Sequence, residues 1–226
     1  MTPYFEILLP LASLGFGVSL LVETTSWTLR AMSTRSNSGF FNARANIYLY
    51  AGRFFALLFM MILSLIVDKG ADLHRVLNFV AIAVSFATLI QCAYWYSELF
   101  FQAINRLIIF LFLRKNTSIK ILINHGKVDH RLFFNSWVAT SILVFGVTSP
   151  YILASIYPDI RMSISTIGQL INAFGTVILL FKVEPLLYKR MDKSDLHIYV
   201  FSYTKGRCFG LLFASSILWA LFLILP

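Results

Sequence analysis

Three arginines and three carboxylates stand where an apolar chain would ordinarily exclude them. Glu23 and Arg30 follow the first apolar run, Arg53 lies just inside the second, Glu184 precedes Pro185 after the fifth, Asp192 comes two turns later, and Arg207 opens the last. Ionisable groups at bilayer depth are rare and expensive, so each is a functional candidate. A guanidinium is planar, stays charged at any relevant pH and pairs bidentately with phosphate oxygens, so Arg30, Arg53 and Arg207 suit a pyrophosphate. Glu23, Glu184 and Asp192 are candidate partners for those arginines, and a change of partner could couple cavity opening to substrate or protons. The plain alternative for each acid is a salt bridge that holds two helices together. Glu23 and Arg30 themselves are two turns apart, too far for direct pairing unless both side chains lean inward.

Between these charges runs a neutral polar stripe. Gly168, Gln169, Asn172, Gly175 and Thr176 recur at spacings of three and four and share one face of an otherwise apolar helix. Gln169, Asn172 and Thr176, with Gln91 and Asn46, suit sugar hydroxyls or a peptide. Asn42, Asn46, Tyr50 and Arg53 step along a second face, and Asn78, Ser85, Thr88 and Cys92 along a third. Small and polar residues in a single such stripe usually signal close helix packing. Repetition across spans instead predicts inward polar faces that enclose a hydrated cavity with Arg30, Arg53 and Arg207 at its rim. The ligand class that fits is an amphiphile with a phosphorylated sugar head rather than an inorganic ion.

Other chemistries find no support. There is no GxSxG, no HExxH and no phosphate-cradling glycine loop. A membrane enzyme using Glu23, Glu184 or Asp192 as a base would lack a nucleophile or a metal, so the chain reads as a transporter rather than an enzyme. His74, His125, His130 and His197 fall in loops without ligand spacing, so no metal and no cofactor is expected. Cys92 and Cys208 lack a CxxC pairing and read as small buried hydrophobes rather than a disulfide.

The elements that must position these groups are set by composition. Of 226 residues 58% are hydrophobic and 13% charged, and the mean hydropathy is +0.77, far from a soluble domain. Several apolar runs reach the ~20 residues a helix needs to cross hydrocarbon. The expectation is an all-α integral membrane protein in one domain, with six transmembrane helices and short interfacial amphipathic helices. The spans are expected at 4–22 (retained, because Glu6 stands where a signal peptide would be basic), 47–67, 76–96, 132–156, 162–181 and 207–225. A bend near Ser97 leads into an interfacial helix to Lys115, with Glu98, Gln102 and Asn105 on its polar side. Asn116 to Arg131 is a polar connection with a turn at Asn124–Lys127. Ser149-Pro150 predicts a kink, Glu184-Pro185 a break followed by a loop, and Leu196 to Tyr203 a short amphipathic piece.

The net charge of +9 and pI of 9.7 need no nucleic acid. Arg30, Arg35 and Arg44 load the first connection. Arg106, Arg114, Lys115, Lys120, Lys127 and Arg131 load the third, and Lys182, Lys189, Arg190, Lys193, Lys205 and Arg207 the fifth. The second has Lys69 and Arg75 against Asp68 and Asp72, and the fourth only Arg161 beside Asp159. The charge-asymmetry rule places the basic connections in the cytoplasm and both termini outside. No long-period repeat is visible.

Two regions carry a family resemblance. One is Glu23-Thr24-Thr25-Ser26 to Arg30, Thr34-Arg35-Ser36 and Arg53. The other is Asn172-Ala-Phe-Gly175-Thr176, Val183-Glu184-Pro185, Asp192 and Gly206-Arg207 to Gly210. Over these, about a third of its length, the chain resembles the Amj family of alternate lipid II flippases, multi-pass proteins of the bacterial plasma (inner) membrane that move the undecaprenyl-pyrophosphate-linked peptidoglycan precursor outward. Glu23 and Glu184 stand where Asp is expected, and Ala31-Met32-Ser33 where a glycine is expected. The resemblance implies a lipid-linked glycan as substrate and membrane lipid as surroundings, is compatible with an oligomer, and leaves another polyprenyl-linked glycan as the alternative to lipid II. The rival class is a non-transporting membrane subunit or adaptor whose polar faces bind partner helices.

Overall fold

The computed structural model describes residues 3–33, 37–113, 128–192 and 195–225. Thr34-Arg35-Ser36, the Asn124–Lys127 turn with most of the long polar connection, and Lys193 lie outside them. The described chain forms α1 (Pro3–Ala31), α2 (Ser38–Asp68), α3 (Leu73–Tyr96), α4 (Glu98–Ile108), α5 (His130–Ile156), α6 (Arg161–Ile178), α7 (Glu184–Asp192) and α8 (Leu196–Ile224). Among the described residues there is no strand. Six helical segments are long and apolar enough to cross a membrane, α6 and α7 together supplying the fifth. The protein is an all-α, multi-pass membrane protein.

The helix starts follow from local chemistry. Gly70, at φ +78°, makes the tight turn after α2 that a side chain would strain. Asp72 then caps α3 by accepting from the Arg75 N–H at 2.8 Å. Asp129 caps α5 through the Leu132 N–H at 3.0 Å. Ser97 leaves helical geometry (ψ 111°) and caps α4 through the Phe100 N–H, which is the expected bend. Asn105 of α4, however, is buried with Phe101 rather than wet.

Three expectations are corrected. Glu184-Pro185 does not break the fifth span: a π-helical turn, Leu179–Val183, in which the Glu184 N–H bonds the Leu179 carbonyl, carries α6 into α7 directly before Pro185, whose ring supplies no N–H to the helix. Lys189, Arg190 and Asp192 are therefore helical. Leu196–Tyr203 is the beginning of α8 itself, because nothing between Tyr203 and Arg207 stops the helix. Cys92 and Cys208 form a disulfide: α3 and α8 lie side by side, so residues 116 apart in sequence meet with a Cα–Cα distance of 5.8 Å.

The order of packing positions the site. Neighbouring helices run α2, α1, α3, α8, α5, α6, and the two ends of this series, α2 and α6, have no packed interface with each other. The arrangement is a horseshoe with its gap between α2 and α6. Numbered by crossing, the order is 2-1-3-6-4-5, and exchanging the first three crossings with the last three returns the same order reversed. Successive crossings alternate in direction, so the first and fourth run oppositely. The chain thus has the packing order of two inverted three-helix halves joined at α3 and α8.

Lipid tails are as apolar as leucine, so helix association relies on close packing rather than on the hydrophobic effect. The spacing Gly206-x-x-x-Gly210 on α8 provides it. A Cβ at Gly206 would strike the Phe133 carbonyl of α5, and one at Gly210 would lie 2.7 Å from the Trp137 carbonyl. Gly168 of α6 is likewise filled by Pro150 of α5. Because backbone cannot step aside, Gly206→Ala is expected to destabilise the folded protein by about 1–3 kcal/mol, read as lowered thermal stability in detergent, whereas Gly39→Ala in α2, which meets nothing within 4 Å, is expected to be neutral or to stabilise by up to about 1 kcal/mol.

Candidate functional site

Arg207 is the most deeply placed charge. It is fully buried (0% exposed) in the middle of α8. Its Nη2 donates to Glu23 Oε2 at 2.8 Å and its Nη1 to the Tyr203 hydroxyl one turn earlier at 3.0 Å. Its Nε is buried without a partner. Glu23 keeps 28% side-chain exposure, so the carboxylate faces open space and the guanidinium stands behind it. Arg207 is therefore not part of an open rim; the helix turns it toward α1, where burial demands a counter-ion.

Arg30 is also buried. Its Nη1 donates to Ser26 Oγ at 3.1 Å, its Nη2 to Asn46 Oδ1 at 2.7 Å, and its guanidinium lies 4.5 Å from the centre of the Trp27 ring. Asn46, expected to line the cavity, is instead an acceptor tying α2 to α1. Arg53 differs from both. Its side chain is exposed, stands 4.8 Å from the centre of the Tyr50 ring, and among the described residues has no carboxylate within salt-bridge distance.

Three cavities follow the gap of the horseshoe. A small one of about 40 Å³ lies against Arg30, Ser26, Tyr203, Glu23 and Glu184. It shares Glu23, Leu49, Leu179 and Glu184 with a chamber of about 320 Å³ whose polar lining is Ser19, Glu23, Arg53, Asn172, Thr176 and Glu184. That chamber shares Met60, Val147 and Asn172 with a second, of about 290 Å³, which continues past Gln169 to Asp68 and Arg161. At the far end Arg161 Nη1 bonds Asp68 Oδ1 at 3.2 Å. From Arg161 to Glu184 the fifth span advances 23 residues, about 34 Å at helical rise, and the hydrocarbon core is about 30 Å thick. The cavities therefore lie in series over a membrane's thickness.

The stripe on α6 divides along its length. Gly168 and Gly175 are buried against Pro150 and Leu143 of α5, while Gln169, Asn172 and Thr176 turn into the chambers. Asn172 Oδ1 is buried there with no hydrogen-bond partner. The polar residues of α3 go elsewhere. Gln91, expected in the cavity, donates to Thr24 Oγ1 at 3.0 Å, Ser85 bonds Ser215 at 2.8 Å and Cys92 is bridged to α8. Asp192 is exposed at the end of α7 and is not among the residues lining the three cavities.

Several participants escape a sequence reading. Tyr203 was in reach, since it sits four residues before Arg207 on the same face. Asp68 and Arg161 register in sequence only as loop charges. The cluster in which the Thr28 and Tyr94 hydroxyls bond at 2.9 Å and Tyr94 donates to Asn105 Oδ1 at 3.3 Å has no sequence signature. Among the described residues no group of three or more metal-ligating side chains gathers, so the donor set of the site is guanidinium, carboxylate, amide and hydroxyl. That set can hold a phosphate at Arg53 and hydroxyls at Asn172, Thr176 and Gln169. Comparison with known protein families, with curated proteins and with solved structures finds no match for this chain.

Proposed function

We propose that the protein is a flippase for a polyprenyl-pyrophosphate-linked glycan, lipid II or a related envelope precursor, in a bacterial inner membrane. The observation that carries this reading is the series of cavities between α2 and α6, two helices with no packed interface, which sets Glu23, Arg53, Gln169, Asn172, Thr176 and Glu184 at intervals along otherwise largely apolar walls over a membrane's thickness. A lipid needs that geometry: the head travels through the chambers while the tail stays in the bilayer. With the basic connections in the cytoplasm, the Arg30 end is the entry and the Asp68–Arg161 end the exit. Arg53 takes the pyrophosphate, Thr176, Asn172 and Gln169 take the sugar in turn, and Glu23, held by Arg207, with Glu184 keeps the entry from retaining an anion too tightly. Chambers of 290–320 Å³ are at the small end of ligand sites. A disaccharide head therefore passes only as α2 and α6 part, a movement suited to two inverted halves rocking about the α3–α8 seam.

The fifth span buries the fewest residues of the six, which favours a second reading: a subunit whose α6 docks on a partner. That reading requires a stoichiometric hetero-complex on mild detergent extraction. The transport reading is tested in proteoliposomes with a fluorescent undecaprenyl-pyrophosphate disaccharide incorporated in both leaflets. Dithionite added outside is expected to quench nearly all of the label when the protein is present. Quenching no greater than in protein-free vesicles sinks the proposal.

A further inference from the structure

The far end of the path holds an ion pair that the sequence reading left unassigned. Asp68 ends α2 and Arg161 begins α6, so the pair joins the two helices that otherwise flank an open gap. It lies over the far chamber, with Ser64, Tyr151, Gln169 and Asn172 as further polar lining. Its bonding is incomplete: one Nη1–Oδ1 contact at 3.2 Å joins the pair, while the Nε of Arg161 is buried without a partner. Asn172 Oδ1, on the chamber wall, is also buried and unbonded. Asp68 remains 63% exposed and Arg161 34%, so the carboxylate can turn to water at little cost while the guanidinium stays.

We infer that Arg161 is a second anion-receiving residue, for a phosphate-bearing group arriving in the far chamber, and that Asp68 is its resident counter-ion, displaced by that group. The inference rests on the transport reading for its direction but not for its chemistry. A phosphate offers the two acceptors that a guanidinium edge needs, including one for the orphaned Nε, whereas Asp68 supplies one bond. Loss of the Asp68 contact also unties α2 from α6 at this end. Seating of the anion and widening of the gap therefore happen together, and return of Asp68 to Arg161 follows release.

The test uses the full chain with Ser165→Cys, a position lining the far chamber one turn from Arg161, in phosphatidylcholine nanodiscs. A charged, water-soluble maleimide reports access to the new thiol. Geranyl pyrophosphate is expected to slow labelling, and Asp68→Asn to lower the concentration needed by about fivefold, since the competing ion pair is partly exposed and of modest strength. Arg161→Gln is expected to remove the protection, and Arg161→Lys to weaken it while keeping the charge. Protection by geranyl pyrophosphate but not by inorganic pyrophosphate assigns the site to a lipid headgroup; equal protection by both assigns it to a soluble phosphate compound. Either result supports an anion site. If Asp68→Asn and Arg161→Gln change protection in the same direction, or neither pyrophosphate protects the parent, the inference is overturned. Because labelling needs no transport, failure of the flippase assay leaves this result standing, and the reverse holds too.

Discussion

Glu23→Ala is expected to lower the stability of the folded protein by about 3–5 kcal/mol, the usual cost of leaving one member of a buried ion pair without its partner. Arg207 has no exposed surface and, among the described residues, no carboxylate bonded to it other than Glu23. Its remaining donor contact, to the Tyr203 hydroxyl, does not neutralise a cation in a low-dielectric surrounding. A loss of that size is a large share of the 5–15 kcal/mol by which domains are ordinarily stable. The effect is specific to the orphaned charge, so the double variant Glu23→Ala/Arg207→Met should recover much of the loss. Thermal unfolding of the wild type, Glu23→Ala, Arg207→Met and the double variant in one detergent closes the cycle. Additive losses would show that the pair is not coupled and that Glu23 stands in the chamber for another reason.

Arg53→Gln is expected to behave in the opposite way, with transport lost and the fold kept. Its side chain is exposed and stands over the Tyr50 ring face at 4.8 Å, an exposed cation–π contact whose removal costs about 0.5–1 kcal/mol. The same guanidinium lines the 320 Å³ chamber and, among the described residues, has no carboxylate within salt-bridge distance, so in the proposed transport it is free for the substrate. Charge-assisted hydrogen bonds contribute about 1.5–3 kcal/mol each, so one lost bond to a pyrophosphate slows transport by roughly 10- to 150-fold. Initial rates of dithionite-accessible label in proteoliposomes, normalised to folded protein by size-exclusion recovery, give the comparison. A variant that flips normally would remove Arg53 from the substrate path, and one that fails to fold would make it structural.

Arg53 and Arg207 show where a sequence reading stops. Both are arginines at the head of an apolar run, and residue type plus depth marks both as candidates. What separates them is rotation about the helix axis relative to neighbours that only the assembled bundle defines: one faces the gap between α2 and α6, the other faces α1. The stripe on α6 was legible because helical periodicity is a local property. Its division into a packing edge at Gly168 and Gly175 and a cavity-facing edge at Gln169, Asn172 and Thr176 was not, because it depends on where α5 lies. The Gln91 side of α3 shows the same limit, since its amide N–H donates to Thr24 of α1 while its Oε1 is buried without a partner. Six crossings followed from hydropathy, yet the continuity of α6 into α7 depended on a π-helical turn that no motif announces. The disulfide and the mirrored packing order are long-range features. Residues 116 apart carry no spacing signal, and the two halves share packing without visible sequence repetition.

Translocation requires water between α2 and α6 and none at the seam of α3 and α8, a contrast that thiol labelling in nanodiscs reads out. Met60 lines both large chambers, whereas Val84 is wholly buried in α3, and the native cysteines are paired with each other and silent. With a charged maleimide, Met60→Cys is expected to label readily and Val84→Cys to resist until the protein is unfolded. Equal resistance at both positions, with the folded state verified, would mean that water and polar heads do not enter the gap, and the translocation account would be wrong.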